Sequence, residues 1–157
     1  MPRFLPEMQI QANTEKTSDG WRAVVAEYLT LYTDDTLANI PDDAAMRARE
    51  LEAVSVKLAL DLSLEKVLLP QLSLKRSQLF NLDGKPLAQI AYLSPYDGPV
   101  AFCIIADGGA DQAIRFEQRS GENIAYWSTA GHAFMLIGKI PRSDLEPLAA
   151  SLAKRVT

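Results

Sequence analysis

The 157-residue chain holds one cysteine and one histidine. A single thiol excludes an internal disulfide and any cysteine-based zinc set, and it leaves the redox compartment open. No run of about 18 apolar residues occurs, so no segment is expected to cross a bilayer as a helix. The first 20 residues lack a basic stretch followed by an apolar one, so no secretory signal is read there. The chain as it stands is expected in the cytoplasm unless it belongs to a longer protein. Basic charge is scarce too: 16 Lys and Arg face 20 Asp and Glu, for a net charge of −4. That argues against nucleic acid as a partner, because no cationic excess is present to displace counterions from phosphates. Glycine-rich phosphate loops and the Gly-x-Ser-x-Gly elbow are absent, and Asp107-Gly-Gly-Ala does not qualify because no helix is expected after it.

What remains is packing signal. Hydrophobic residues make up 48% and charged residues 23%, an ordinary globular balance sufficient for one domain. Residues 1–20 carry no sustained period and read as a flexible leader or juxtamembrane tether, leaving residues 21–157 as a single folded domain. Fully extended, such a leader reaches about 65 Å. Trp21, Val24, Val25, Tyr28, Leu29 and Tyr32 form one helical stripe, with Asp19 placed to cap it and Thr33–Thr36 expected to end it. A second helix is expected from Pro41 to about Leu60, with Leu51, Val54 and Leu58 on its inner face. Asp34-Asp35 and Asp42-Asp43 then read as helix-end residues rather than a catalytic pair.

From Leu72 the period changes to two. Asp83-Gly84 signals a type I′ hairpin whose return strand is Pro86 to Leu93. Val100 to Ala106 is nearly all apolar, the pattern of a strand covered on both faces. Further strands are expected over 114–118, 123–128 and 132–138, with turns at Ser120-Gly121 and Ala130-Gly131. A last helix is expected from Ser143 to Val156, opened by a Ser143/Glu146 capping box. The expected fold is therefore α+β: an antiparallel meander of five or six strands, covered by two N-terminal helices and one C-terminal helix. Such an open sheet leaves edge strands, through one of which two copies would form a homodimer.

Chemistry is sparse. Cys103 and His132 are the one obvious nucleophile–base pair, and both fall in strands. Cys103 also reads as a small buried hydrophobe within Ala-Phe-Cys-Ile-Ile. Asp107 and Asp111 lack the ligand count of a calcium loop, so neither a metal nor a cofactor is expected. Aromatic residues such as Tyr126 and Trp127 line either a core or a ligand pocket. Trp127, His132, Cys103 and Tyr126 are therefore the candidate ligand or sensor residues, and no catalytic residue is assigned.

Several stretches, in order, resemble the C-terminal domain of the transmembrane anti-sigma factors of bacteria. These are Trp21–Tyr32 with Thr36, Leu74–Leu79 leading through Asp83–Tyr92, Pro99–Ile104, Trp127–Gly138 and Pro141–Ala149. In that family a cytoplasmic segment, often with a His-x-x-x-Cys-x-x-Cys pattern, holds a sigma factor, and one membrane-spanning helix leads to an extracytoplasmic domain. This chain carries neither the zinc pattern nor the spanning helix. The resemblance thus implies a non-catalytic regulatory domain on the periplasmic side. Contact with the sigma factor and the membrane would run through segments outside this chain. The alternatives are a free-standing small-molecule-binding module and a small enzyme using Cys103 and His132.

Overall fold

The computed structural model describes residues 7–10, 20–29, 34–106 and 109–156. Strand β1 (Glu7–Ile10) is followed by helices α1 (Gly20–Leu29), α2 (Asp34–Ala38), α3 (Ala44–Leu58) and α4 (Leu64–Val67). Then come β2 (Ser73–Leu82), β3 (Lys85–Ser94), β4 (Gly98–Ala106), β5 (Gln112–Arg119), β6 (Glu122–Thr129) and β7 (His132–Gly138). Helix α5 (Arg142–Arg155) closes the fold. Among the described residues no helix is long and apolar enough to cross a membrane.

The six antiparallel strands form, in two hairpin-linked triplets. The order across the sheet is β1-β2-β3-β4-β7-β6-β5, so β5 lies at the far edge and not beside β4 as a simple meander requires. Residues 107–111 join two strands three spacings apart, about 14 Å, which five residues can span. β1 adds a seventh strand, parallel to β2, with Glu7 opposite Leu79 and Ile10 opposite Leu82. Part of the stretch read as a leader therefore joins the sheet.

Three hairpins use the same turn. Asp83-Gly84, Ser120-Gly121 and Ala130-Gly131 all have positive φ at both residues, between 51° and 86°. That conformation matches the twist of the flanking strands, and the second position is glycine each time because it has no Cβ to clash.

β4 is the centre of the sheet. Val100, Phe102 and Ile104 point to one face, where they pack with α3, α4 and α5 through Leu51, Val54, Leu58, Val67 and Leu145. Ala101, Cys103 and Ile105 point to the other, where α1 covers them with Trp21, Val25, Ala26 and Leu29. Each large apolar side chain buried this fully contributes about 1.5–3 kcal/mol. Tyr92 extends the first face, and its hydroxyl donates to the Val67 carbonyl at 2.6 Å, tying β3 to α4. Burial pushes its phenol well above the ordinary tyrosine range. Arg155 donates to the carbonyls of Glu65 and Leu68 at 3.0 and 2.8 Å, fastening α5 to α4.

Helix boundaries differ from the sequence expectation in two places. α3 starts at Ala44, not Pro41, because the Asp43 carboxylate accepts from the Met46 N–H at 3.0 Å and serves as the cap. α5 starts at Arg142 with no side-chain cap, so the Ser143/Glu146 box does not form. The Pro141 carbonyl instead accepts from the N–H groups of Asp144 and Leu145, both at 2.9 Å. Leu51, Val54 and Leu58 do form the inner face of α3. Asp19, Tyr32 and Thr33 lie outside the described residues.

The two edges are handled differently. Along the outer side of β2, Arg47 of α3 donates to the Leu74 carbonyl and Glu50 accepts from the Ser77 N–H, each at 3.0 Å. These side chains occupy backbone groups that another strand would need, and β1 pairs with Leu79–Leu82. β5, the opposite edge, carries Arg115, Glu117 and Arg119.

Glu122, at the start of β6, is only 3% exposed, and burial raises its carboxyl pKa despite the opposing Lys139. A pKa raised on folding means the stabilising contribution is complete below the unfolded value and is lost as pH rises through the folded value. Glu122→Gln is therefore expected to stabilise the fold at neutral pH and to leave it nearly unchanged at about pH 4. Urea midpoints of the two proteins at both pH values check this.

Candidate functional site

The period of two decides the fate of the Cys103–His132 pair. Cys103 pairs with Met135 across the β4–β7 ladder, and His132 pairs with Ala106. Cys103 and Met135 lie on the face covered by α1. His132 lies an odd number of residues from Met135, so its side chain projects to the other face. There its ring stands 6.2 Å from that of Phe134, and its Nε2–H donates to the Leu58 carbonyl at 2.8 Å. The sheet therefore separates the two residues, and they form no dyad.

Each has a structural setting. Leu58 is the last residue of α3, and its carbonyl is among the groups a helix end leaves without a partner. His132 supplies that partner from 74 residues away. Cys103 is fully buried, and burial pushes its thiol up to about 12, against a smaller lowering by Gln89 across the β3–β4 ladder. A thiol so disfavoured as thiolate is a poor nucleophile.

Trp127 and Tyr126 are also on opposite faces. Trp127 stacks on Phe134 at 5.5 Å and on Phe102 at 6.0 Å, within the core beneath α3 and α5. Tyr126 faces α1, where the Arg22 guanidinium sits 3.7 Å from its ring centre. Arg22 Nε donates to Glu117 at 2.8 Å, and Arg119 Nε donates to the same oxygen at 2.9 Å. Burial works against the charge on Glu117, but the hydrogen bonds from Arg22 and Arg119 outweigh it and hold the carboxyl below the ordinary glutamate range. This group fastens α1 to β5. On the opposite face Arg142 of α5 lies 4.2 Å from the centre of the Phe116 ring, so β5 is gripped from both sides.

Beside this group lies a cavity of about 430 Å³. Trp21 and Arg22 of α1, Arg115 of β5, Tyr126 and Trp127 of β6 and Phe134 of β7 line it, together with the segment Gly109–Ala113. The segment is held in place by Ser128, which donates to the Ala110 carbonyl at 2.7 Å, and by Asp111, which accepts from the Ala130 N–H at 3.0 Å. Trp21 on this wall buries its Nε1–H without an acceptor, as does Trp127 in the core on the other face of the sheet. Each such donor costs about 1–3 kcal/mol.

Of the four sequence candidates, Tyr126 lines this cavity from the α1 face and Trp127 borders it with its indole in the opposite core, while Cys103 and His132 do not line it. Arg22, Arg115 and Glu117 escaped the sequence reading. Their one visible signal was the alternation Arg115, Glu117, Arg119, which places three charges on one face of a strand. Among the described residues no three His, Cys, Asp or Glu side chains gather as a metal site would need.

No family model matches the chain, and no curated protein matches it. Among solved structures, a chain from the crystal structure of MucB in complex with MucA(peri) is similar at 18% identity and a TM-score of 0.44. That match covers 57% of this chain and 34% of the other, so it spans about a third of that protein's length.

Burial of Cys103 is directly testable. Native protein is expected to react with a thiol reagent at least about a hundredfold more slowly than the urea-unfolded chain at neutral pH. Equal rates would place Cys103 outside the core.

Proposed function

We propose that this chain is a non-catalytic sensory or regulatory domain of a membrane anti-sigma factor, acting on the extracytoplasmic side. The observation that carries this reading is the ordered series of family-like stretches, from Trp21 to Ala149. Their places in the fold support it. Trp21 opens α1, Leu74–Tyr92 is the β2–β3 hairpin, Pro99–Ile104 is the central strand and Trp127–Gly138 forms β6 and β7. The family-like residues are thus largely those that build one cooperative sheet and its covers. Such a domain regulates by presenting a surface and by changing shape.

The N-terminal segment is the natural relay. β1 pairs with the sheet edge at Leu79–Leu82, and α1 is fastened to β5 by Arg22 and Glu117. A signal that loosens either attachment alters the path of the chain leading toward the membrane. The sigma factor would be held by a cytoplasmic segment outside these 157 residues.

The test is made in the full-length protein in its own cell. Residues 21–157 are replaced by an unrelated folded domain of similar size, and a sigma-dependent reporter is followed under a panel of envelope stresses. Loss of the stress response, with the sigma factor still bound, is the expected result. An unchanged response to every stress would overturn the reading.

A further inference from the structure

The cavity between α1 and the start of β5 has the features of a small-ligand site. We propose that it binds a small aromatic carboxylate. Its volume of about 430 Å³ falls within the range of small-molecule sites, about 300–1,000 Å³. Its walls include Trp21 and Tyr126, whose rings lie on the α1 face and offer apolar surface to a planar body.

The charge on the wall favours an anion. Arg22 and Arg115 line the cavity against a single acid, Asp111, in a chain whose net charge is −4. Asp111 already accepts from the Ala130 N–H, and Arg22 already shares Glu117. Arg115 is exposed and, among the described residues, joins no ion pair. A guanidinium presents a planar fork that matches a carboxylate in two parallel hydrogen bonds. The unpartnered indole N–H of Trp21, a residue of the cavity wall, is an independent observation. A ligand that brings acceptor oxygens supplies what this wall lacks, and its rings take the place of water against the aromatics.

The site goes beyond the anti-sigma reading and does not depend on it. Binding is measured on the chain itself, whereas the reporter assay measures transmission, so either result can fail without the other. If both hold, the carboxylate is the class of signal.

The chain has two tryptophans, and Trp21 packs on the wall of this cavity, so intrinsic fluorescence reports on it. The experiment titrates phenylacetate, and separately the neutral phenylacetamide, into the 157-residue protein, the Arg115→Gln variant and the Ala113→Phe variant. A saturable fluorescence change with phenylacetate is expected. Binding should be at least about tenfold weaker for the amide and for Arg115→Gln, and lost in Ala113→Phe, whose new ring occupies the mouth. Arg115 is exposed, so its replacement keeps the test valid should Ala113→Phe not fold. No saturable change with phenylacetate, equal binding of acid and amide, or unaltered binding by Arg115→Gln would each overturn the proposal.

Discussion

The structure depends on the alternation of side chains along β4. Every residue from Val100 to Ile105 is buried, yet successive residues enter different cores. A strand of this kind cannot sit at an edge or face water on one side. It needs helices above and below, and the chain provides α1 for one face and α3 to α5 for the other. A register slip of one residue would send Phe102 toward α1 and Cys103 into the aromatic stack, so the register is strongly fixed.

The same alternation sorts the polar residues. Cys103 and Tyr126 fall on the α1 side, and His132 and Trp127 on the other. A sheet that keeps the sole cysteine and the sole histidine apart leaves the fold without a nucleophile–base pair of that kind. The charged side chains Arg22, Glu117 and Arg119 gather elsewhere, where α1 meets β5. There the packing of helix on sheet is incomplete, and a cavity remains beside the ion pairs that hold α1. A ligand in that cavity and the attachment of α1 share Trp21 and Arg22. Occupancy of that cavity by the proposed ligand would therefore be coupled to α1 docking through the same side chains.

Much of the fold was legible from local signals. The Asp83-Gly84 turn, the apolar run of β4 and the inner face of α3 at Leu51, Val54 and Leu58 each depend on residues close in sequence, and each forms as expected. What was not legible rests on long-range pairing. The place of β5 at the far edge follows from which strand β4 joins, and nothing within Gln112–Arg119 specifies that. The Ser143/Glu146 box fails because Pro141 begins the helix earlier. Of the cavity wall, Tyr126 was visible in the sequence as an aromatic residue, but the Arg22–Glu117 contact joins residues 95 apart. The His132 contact with α3 spans 74 and was equally hidden. Periodicity shows which face a residue takes, but not which distant segment covers that face.

The central claim is that β4 is covered on both faces by separate packing, α1 on one side and α3 to α5 on the other. Native-state hydrogen exchange resolved by residue tests it most directly. The account predicts that β4 and β7 amides exchange most slowly, through global unfolding, while α1 amides open at lower free energy and without release of α3 or α5. Exchange of α1 and β4 as one unit, or β4 amides as labile as those of β5, would contradict it.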